Sequence, residues 1–231
     1  ACSDFKFKKG LVSATKTSGH TLQIADGLWL DKKFKAAMMK SIAQSELDRK
    51  RFVYSDIGFI LLQQVVEAVT GKTLDAYLVS EFYRPMGLEH TLFQPLNRYK
   101  KADIMPTAAN DYLRRQDLCG YVHDEAAAFM GGVSGNAGLF STAQELGKIY
   151  QMILNEGELD GKRYLRPETC RIFTTEKSAV SHRGLGYDKP NLKDPKANAC
   201  ASSAPALFMG IPALRVLVLG LIRRMTWSIS S

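Results

Sequence analysis

Long hydrophobic runs are missing from this sequence. The longest, Ile211 to Ile222, is twelve residues with Arg215 inside it. That is short of the ~18–20 residues that cross a bilayer, so no transmembrane segment is expected. Cysteine is scarce: Cys2, Cys119, Cys170 and Cys200 stand far apart and form no Cys-x-x-Cys pair. That spacing argues against a zinc site and favours free, mostly structural thiols. His20, His90, His123 and His182 share no ligand spacing, so neither a metal nor a cofactor is expected. Basic residues are not interleaved with aromatics in the manner of single-strand binders, which argues against a nucleic-acid partner. Repeats, heptads and low-complexity tracts are absent, and alternating β-branched strand patterns are few. The opening Ala1-Cys2-Ser3-Asp4 carries neither an initiator Met nor a signal-type apolar stretch, which reads as a processed terminus or a fragment.

What is present is globular in composition: 231 residues, 45% apolar and 23% charged. Lys and Arg number 31 against 23 acids, a formal charge of +8. Residues 1–28 read as irregular. Asp31 is placed to cap a helix through Leu47, with Phe34, Met38 and Ile42 on one side. Ser55 and Asp56 are N-cap types before a strongly apolar helix, Ile57 to Val69, closed by Gly71. Being apolar nearly all round, that helix is expected at the centre of a core. A shorter helix runs from Leu74 to about Tyr83, and residues 85–140 read mostly as loop. Ser141 or Thr142 begins another helix, ending near Gly157, and Pro167 fits N1 of a last one through Phe173. Arg114-Arg115 and Lys100-Lys101 read as solvated basic pairs. His123-Asp124-Glu125 reads as a hydrogen-bonding loop, because consecutive side chains diverge. The helices leave apolar surface in search of a partner layer, which suggests an incomplete domain.

Two segments carry a resemblance. The first is Tyr54-Ser55-Asp56-Ile57-Gly58-Phe59, continuing through Thr70-Gly71-Lys72 to Arg84-Pro85-Met86-Gly87-Leu88. The second runs from His123-Asp124-Glu125-Ala126 through Gly131-Gly132 to Ala137-Gly138-Leu139-Phe140-Ser141-Thr142, with Glu145-Leu146. Together they resemble the serine β-lactamase, penicillin-binding protein and esterase family. Gly184-Leu185-Gly186-Tyr187-Asp188-Lys189-Pro190 is similar to Bacteroidetes-type members, some of which are fused to a family 3 glycosidase. The resemblance implies an α+β, β-lactamase/D,D-peptidase-like fold, incomplete here and mostly helical with long loops. It also implies acyl transfer through a serine acyl-enzyme, a small-molecule or peptidoglycan-type substrate, no cofactor, and a periplasmic or cell-envelope location. By this resemblance Tyr54 is the proton shuttle and Asp56 takes the Asn/Asp position beside it. A phenol works as a base only where cations stabilise phenolate, so the family's lysine belongs to the mechanism.

The nucleophile is harder to find. Ser-x-x-Lys occurs at Ser3–Lys6 and Ser13–Lys16, yet neither opens an apolar helix on which Ser and Lys face each other one turn apart. Both read as chance matches, which places the nucleophile helix upstream of residue 1. Ser134 is no nucleophile elbow, because Asn136 stands where a glycine is needed. The family's His-Thr-Gly strand is also missing after Gly186. One permitted back-translation of residues 209–231, read from the third base, gives Gly-His-Thr-Gly-Leu-Thr-Gly-Thr and then an Asp-Pro turn. The expected organisation is therefore a partial domain over 1–208 without its nucleophile region, followed by an out-of-frame tail over 209–231. The alternative for Ile211–Ile222 is a genuine apolar strand or helix. The tail holds three arginines and no acid, and the other frame holds four acids and no Lys or Arg. Restoring that frame lowers the formal charge by seven, from +8 to +1. The function expected is a fragment of a serine hydrolase, inactive as given. The alternative is a non-catalytic binding domain of the same fold.

Overall fold

The computed structural model describes residues 6–46, 53–175, 178–179 and 183–187. The tail 209–231 and the Ser3–Lys6 match fall wholly or partly outside these residues. Two compact units are present. Of the described residues, the first holds 6–46 and 54–142, and the second holds 53 and those from 143 to 187.

The first unit is organised around an antiparallel sheet of β1 (Val12–Ser13), β3 (Leu28–Asp31) and β2 (His20–Ala25), in that order. This corrects the irregular reading of residues 1–28. Leu22 and Ile24 alternate with polar residues, and Asp26-Gly27 closes the hairpin by pairing Ala25 with Leu28. Gly27 has the positive φ of 59° that such a turn requires. His20 pins the preceding loop. Its Nε2 donates to the Gly10 carbonyl and its Nδ1 accepts from the Thr17 hydroxyl, both at 3.0 Å.

Ile24 and Leu30 are buried against Ala128 of α4 (Glu125–Phe129). Phe34 of α1 (Phe34–Ala43) meets Phe129 edge-on at 5.0 Å. Helix α1 starts later than the sequence suggests. Asp31 stays in the strand and accepts from the Lys33 N–H at 2.7 Å, and Lys33 takes the N-cap position. The helix ends at Ala43, short of Leu47.

Helix α2 (Ile57–Thr70) ends on Gly71 in the left-handed conformation, φ 67°, as its sequence predicts. Its environment differs from the expected one. Only Ile60 and Gln63 are buried, whereas Ile57, Phe59, Leu61, Leu62, Val65 and Val69 are exposed. An apolar helix with open apolar faces has not been given the layer that its composition calls for. Helix α3 (Leu74–Leu78) runs into a wider π turn at Val79–Tyr83. Burial of Tyr83 pushes its phenol up to about 12. The remainder of this unit is long loops and two small ladders. One pairs β4 (Leu92–Phe93) with β7 (Leu139–Phe140), and the other pairs β5 (Pro106–Ala108) with β6 (Leu118–Cys119).

The second unit carries α5 (Ala143–Leu154), the hairpin β8–β9 (Glu158–Leu159, Lys162–Arg163) and α6 (Pro167–Thr175). Asp160 and Gly161, at φ 50° and 74°, form the two-residue turn between the strands. Gly157 is also required: a Cβ there would lie 2.2 Å from the Leu165 carbonyl oxygen. Arg171 grips Glu156 with two bonds, of 2.8 and 2.7 Å. Burial raises the Cys170 thiol. Cys119 and Cys170 are both free.

Candidate active site

Tyr54 and Asp56 stand at the entrance to α2 and touch. The Tyr54 hydroxyl donates to Asp56 Oδ1 at 2.9 Å, and both groups are solvent-accessible. The Asp56 carboxylate therefore does not cap the helix. It accepts no backbone N–H of the first turn, whereas its carbonyl receives Phe59 N and Ile60 N. Ser55 Oγ accepts the Ile57 N–H at 3.3 Å and takes part of the capping role.

Beneath this helix lies the glycine loop 131–138, held by one amide. Gln63 Oε1 accepts the Gly135 N–H at 3.1 Å, and Gln63 Nε2 donates to the Val133 carbonyl at 3.3 Å. The same Nε2 donates to Glu67, whose Oε1 accepts the Leu74 N–H, both at 3.0 Å. Gly135 sits so close to the helix that a Cβ would lie 2.1 Å from the Phe59 carbonyl oxygen. On its far side the loop is tied to α4. Asn136 Nδ2 donates to Asp124 Oδ1 at 3.0 Å, and the same oxygen caps α4 through the Ala127 N–H at 2.7 Å. Ser134 is buried and donates to Asn136 Oδ1 at 2.6 Å, a structural use of that hydroxyl.

Arg114 corrects the expectation of a solvated basic pair. Its side chain and that of Asp111 are both fully buried and joined twice, Nε to Oδ1 at 2.9 Å and Nη2 to Oδ2 at 2.8 Å. The guanidinium also donates to the carbonyls of Val122 and His123. It thereby fixes the backbone that leads into Asp124. Hydrogen bonding from Arg114 holds the Asp111 carboxyl below the ordinary carboxylate range. Lys101 is likewise engaged. It pairs with Asp26, which also accepts the Tyr121 hydroxyl at 2.9 Å.

Of the Ser-x-x-Lys matches, the described one is not a nucleophile pair. Ser13 lies on β1 and its Oγ accepts the Thr15 N–H at 3.3 Å, while the Lys16 ammonium sits 5.6 Å from the Trp29 ring centre. Among the described residues no group of three His, Cys, Asp or Glu could hold a metal ion. None of their helices is long and apolar enough to cross a membrane. Sequence reading did not single out Gln63, although an amide on an otherwise apolar helix is the signal that finds it. Nor did it find Arg114 as a buried group, because a lone basic pair gives no sign of burial.

Mixed helices and short antiparallel strands make this an α+β fold. The family model for beta-lactamase matches residues 14–190, and the chain belongs to that family. A putative D-alanyl-D-alanine carboxypeptidase of Escherichia coli K12 is 39% identical over 149 residues, 59% of this chain and 34% of the relative. An N-acetylmuramyl-L-alanine amidase of Bacillus subtilis is 36% identical over 155 residues, 62% of this chain and 35% of the relative. The chain thus spans about a third of the length of the curated relatives it matches. Among solved structures, the octameric penicillin-binding protein homologue from Pyrococcus abyssi aligns with a TM-score of 0.48. That alignment has 17% identity and covers 69% of this chain and 36% of the other. A putative beta-lactamase from Bacteroides dorei aligns at 0.43 with 16% identity, covering 72% and 41%.

Proposed function

We propose that this chain is the middle of a serine hydrolase that cleaves a peptidoglycan-type peptide through an acyl-enzyme. The observation that carries the reading is the Tyr54–Asp56 pair at the mouth of α2, since the resemblance of the Tyr-Ser-Asp segment implies that Tyr54 is the proton-transferring tyrosine. The names of the carboxypeptidase and amidase relatives favour a peptidoglycan substrate over a β-lactam or an ester. An envelope location follows from that substrate. In this reading the serine and its lysine belong to a helix outside the residues in hand, and the substrate-binding His-Thr-Gly strand belongs to the alternative frame of residues 209–231. Two observations support it. Ser13 and Lys16 do not face each other on a helix, and α2 keeps apolar faces uncovered. Tyr54 is a donor to a carboxylate here, so the shuttle needs a cation at its oxygen to compete with Asp56. Without nucleophile and oxyanion donors the chain alone is inactive.

Incubating the chain with a fluorescent penicillin and with nitrocefin tests this. No covalent label and no turnover are expected. Turnover that disappears in Tyr54→Phe would show a complete site and overturn the fragment reading. Reversible binding without acylation by the full-length gene product would instead favour a non-catalytic binding domain.

A further inference from the structure

A cavity of about 240 Å³ opens between the β2–β3 hairpin, the 94–97 turn and the start of the glycine loop. It shares Gly131 and Gly132 with the glycine loop, but no residue of the Tyr54–Thr70 stretch lines it. It is smaller than the ~300–1,000 Å³ pockets of drug-sized ligands and admits a group of amino-acid size. Its floor is apolar, from Ile24, Leu96 and Ala128. Its polar side chains are the amides of Gln23, Gln94 and Asn97, the hydroxyl-bearing Thr21 and Tyr121, and one cation, with no acid among the lining residues.

The cation is Lys16. Its ammonium lies over the Trp29 ring, 5.6 Å from the centre, and it has no ion pair among the described residues. A lysine held by a ring rather than a carboxylate keeps its full charge available to a ligand. The loop that presents it is built. Ser13 Oγ accepts the Thr15 N–H, and Thr17 bonds His20 through both backbone and hydroxyl. The amides are also set in place. Gln94, at φ 49°, donates through Nε2 to the Gly131 carbonyl at 2.5 Å and accepts from Asn97 Nδ2 at 3.1 Å. Asn97 Oδ1 is left to receive a ligand N–H.

We propose that this cavity binds the carboxylate end of an N-acylated amino acid or short peptide. The carboxylate sets against Lys16, the small side chain on the apolar floor, and the acyl amide on Asn97. A single ammonium among neutral amides and hydroxyls suits a monoanion, whereas a phosphate dianion calls for more positive charge.

The test uses the chain's two tryptophans, Trp29 and Trp227. In the full chain carrying Trp227→Phe, Trp29 reports on the cavity. N-acetylalanine is expected to change its fluorescence saturably. N-acetylalaninamide, which lacks the charge, is expected to bind at least ten-fold more weakly. Lys16→Gln, in the same background, is expected to weaken N-acetylalanine binding at least ten-fold with an unchanged circular dichroism spectrum. Equal affinity for acid and amide, or an unaffected Lys16→Gln variant, would overturn the proposal. So would the absence of any signal by fluorescence and calorimetry up to roughly 10 mM. None of these results depends on acylation, so a failure here leaves the Tyr54–Asp56 reading standing.

Discussion

Gln63, a buried amide on an apolar helix, accepts the N–H of Gly135, 72 positions further along the chain, at 3.1 Å. That bond and its companion to Val133 fasten the glycine loop under the helix that Tyr54 opens. Gln63→Leu keeps similar bulk but strands a backbone donor and an acceptor. It is expected to cost ~1–3 kcal/mol of unfolding free energy, measured by urea denaturation.

Gly135→Ala tests the same contact from the other side. The added methyl meets the Phe59 carbonyl oxygen at 2.1 Å, and backbone yields poorly. A loss of ~1–3 kcal/mol is expected, with Gly161→Ala as a control that meets no atom within 4 Å. The control carries only the left-handed backbone cost of ~1–2 kcal/mol.

These positions also mark where the sequence could be read and where it could not. The bounds of α2 were legible because capping residues and Gly71 bracket an apolar run. Its burial was not legible, because hydropathy shows that a helix wants a partner, not whether these residues supply one. Asp26-Gly27 between alternating apolar residues is the signal for the β2–β3 hairpin and Asp160-Gly161 the signal for β8–β9, but the sequence reading took neither as a hairpin. Short strands among polar residues hid both. Tyr54 and Asp56 come from the family motif alone, and nothing in their local geometry singles them out without it. Arg114 was not legible at all: its burial depends on Asp111 and on two carbonyls that the loop brings to it.

Two arginine–carboxylate pairs of similar length should differ sharply in energy. Arg114 and Asp111 are fully buried, whereas Arg171 and Glu156 are about half exposed. Arg114→Met leaves a buried carboxylate unpaired and is expected to cost ~3–5 kcal/mol. Arg171→Met is expected to cost under ~1 kcal/mol, because solvent screens an exposed pair. Equilibrium unfolding of both variants decides it.

The Asp111 pair also sets an acid limit. Its carboxyl is held below its unfolded value by Arg114. A carboxyl depressed in the native state adds stability above its unfolded pKa, near ~4, and loses it as pH falls through the lower native value. Urea midpoints are therefore expected to fall as pH drops below ~4, and less steeply in an Asp111→Asn, Arg114→Met double variant. Equal slopes would remove the pair from the acid response.

DNA sequence across the codons of residues 209–231 addresses the missing strand. A frame encoding His-Thr-Gly-x-Thr-Gly-Thr is expected alongside the present one. If no other frame encodes the motif, the out-of-frame tail is excluded.

The most direct measurement of the central claim is intact-mass spectrometry after incubation with a penicillin, applied to this chain and to the full product of its gene. The account predicts no adduct on the 231-residue chain. It predicts one acyl adduct on the full product, at a Ser-x-x-Lys serine, formed far more slowly in Tyr54→Phe. An adduct on the chain alone, or acylation of the full product that is indifferent to Tyr54, would contradict it.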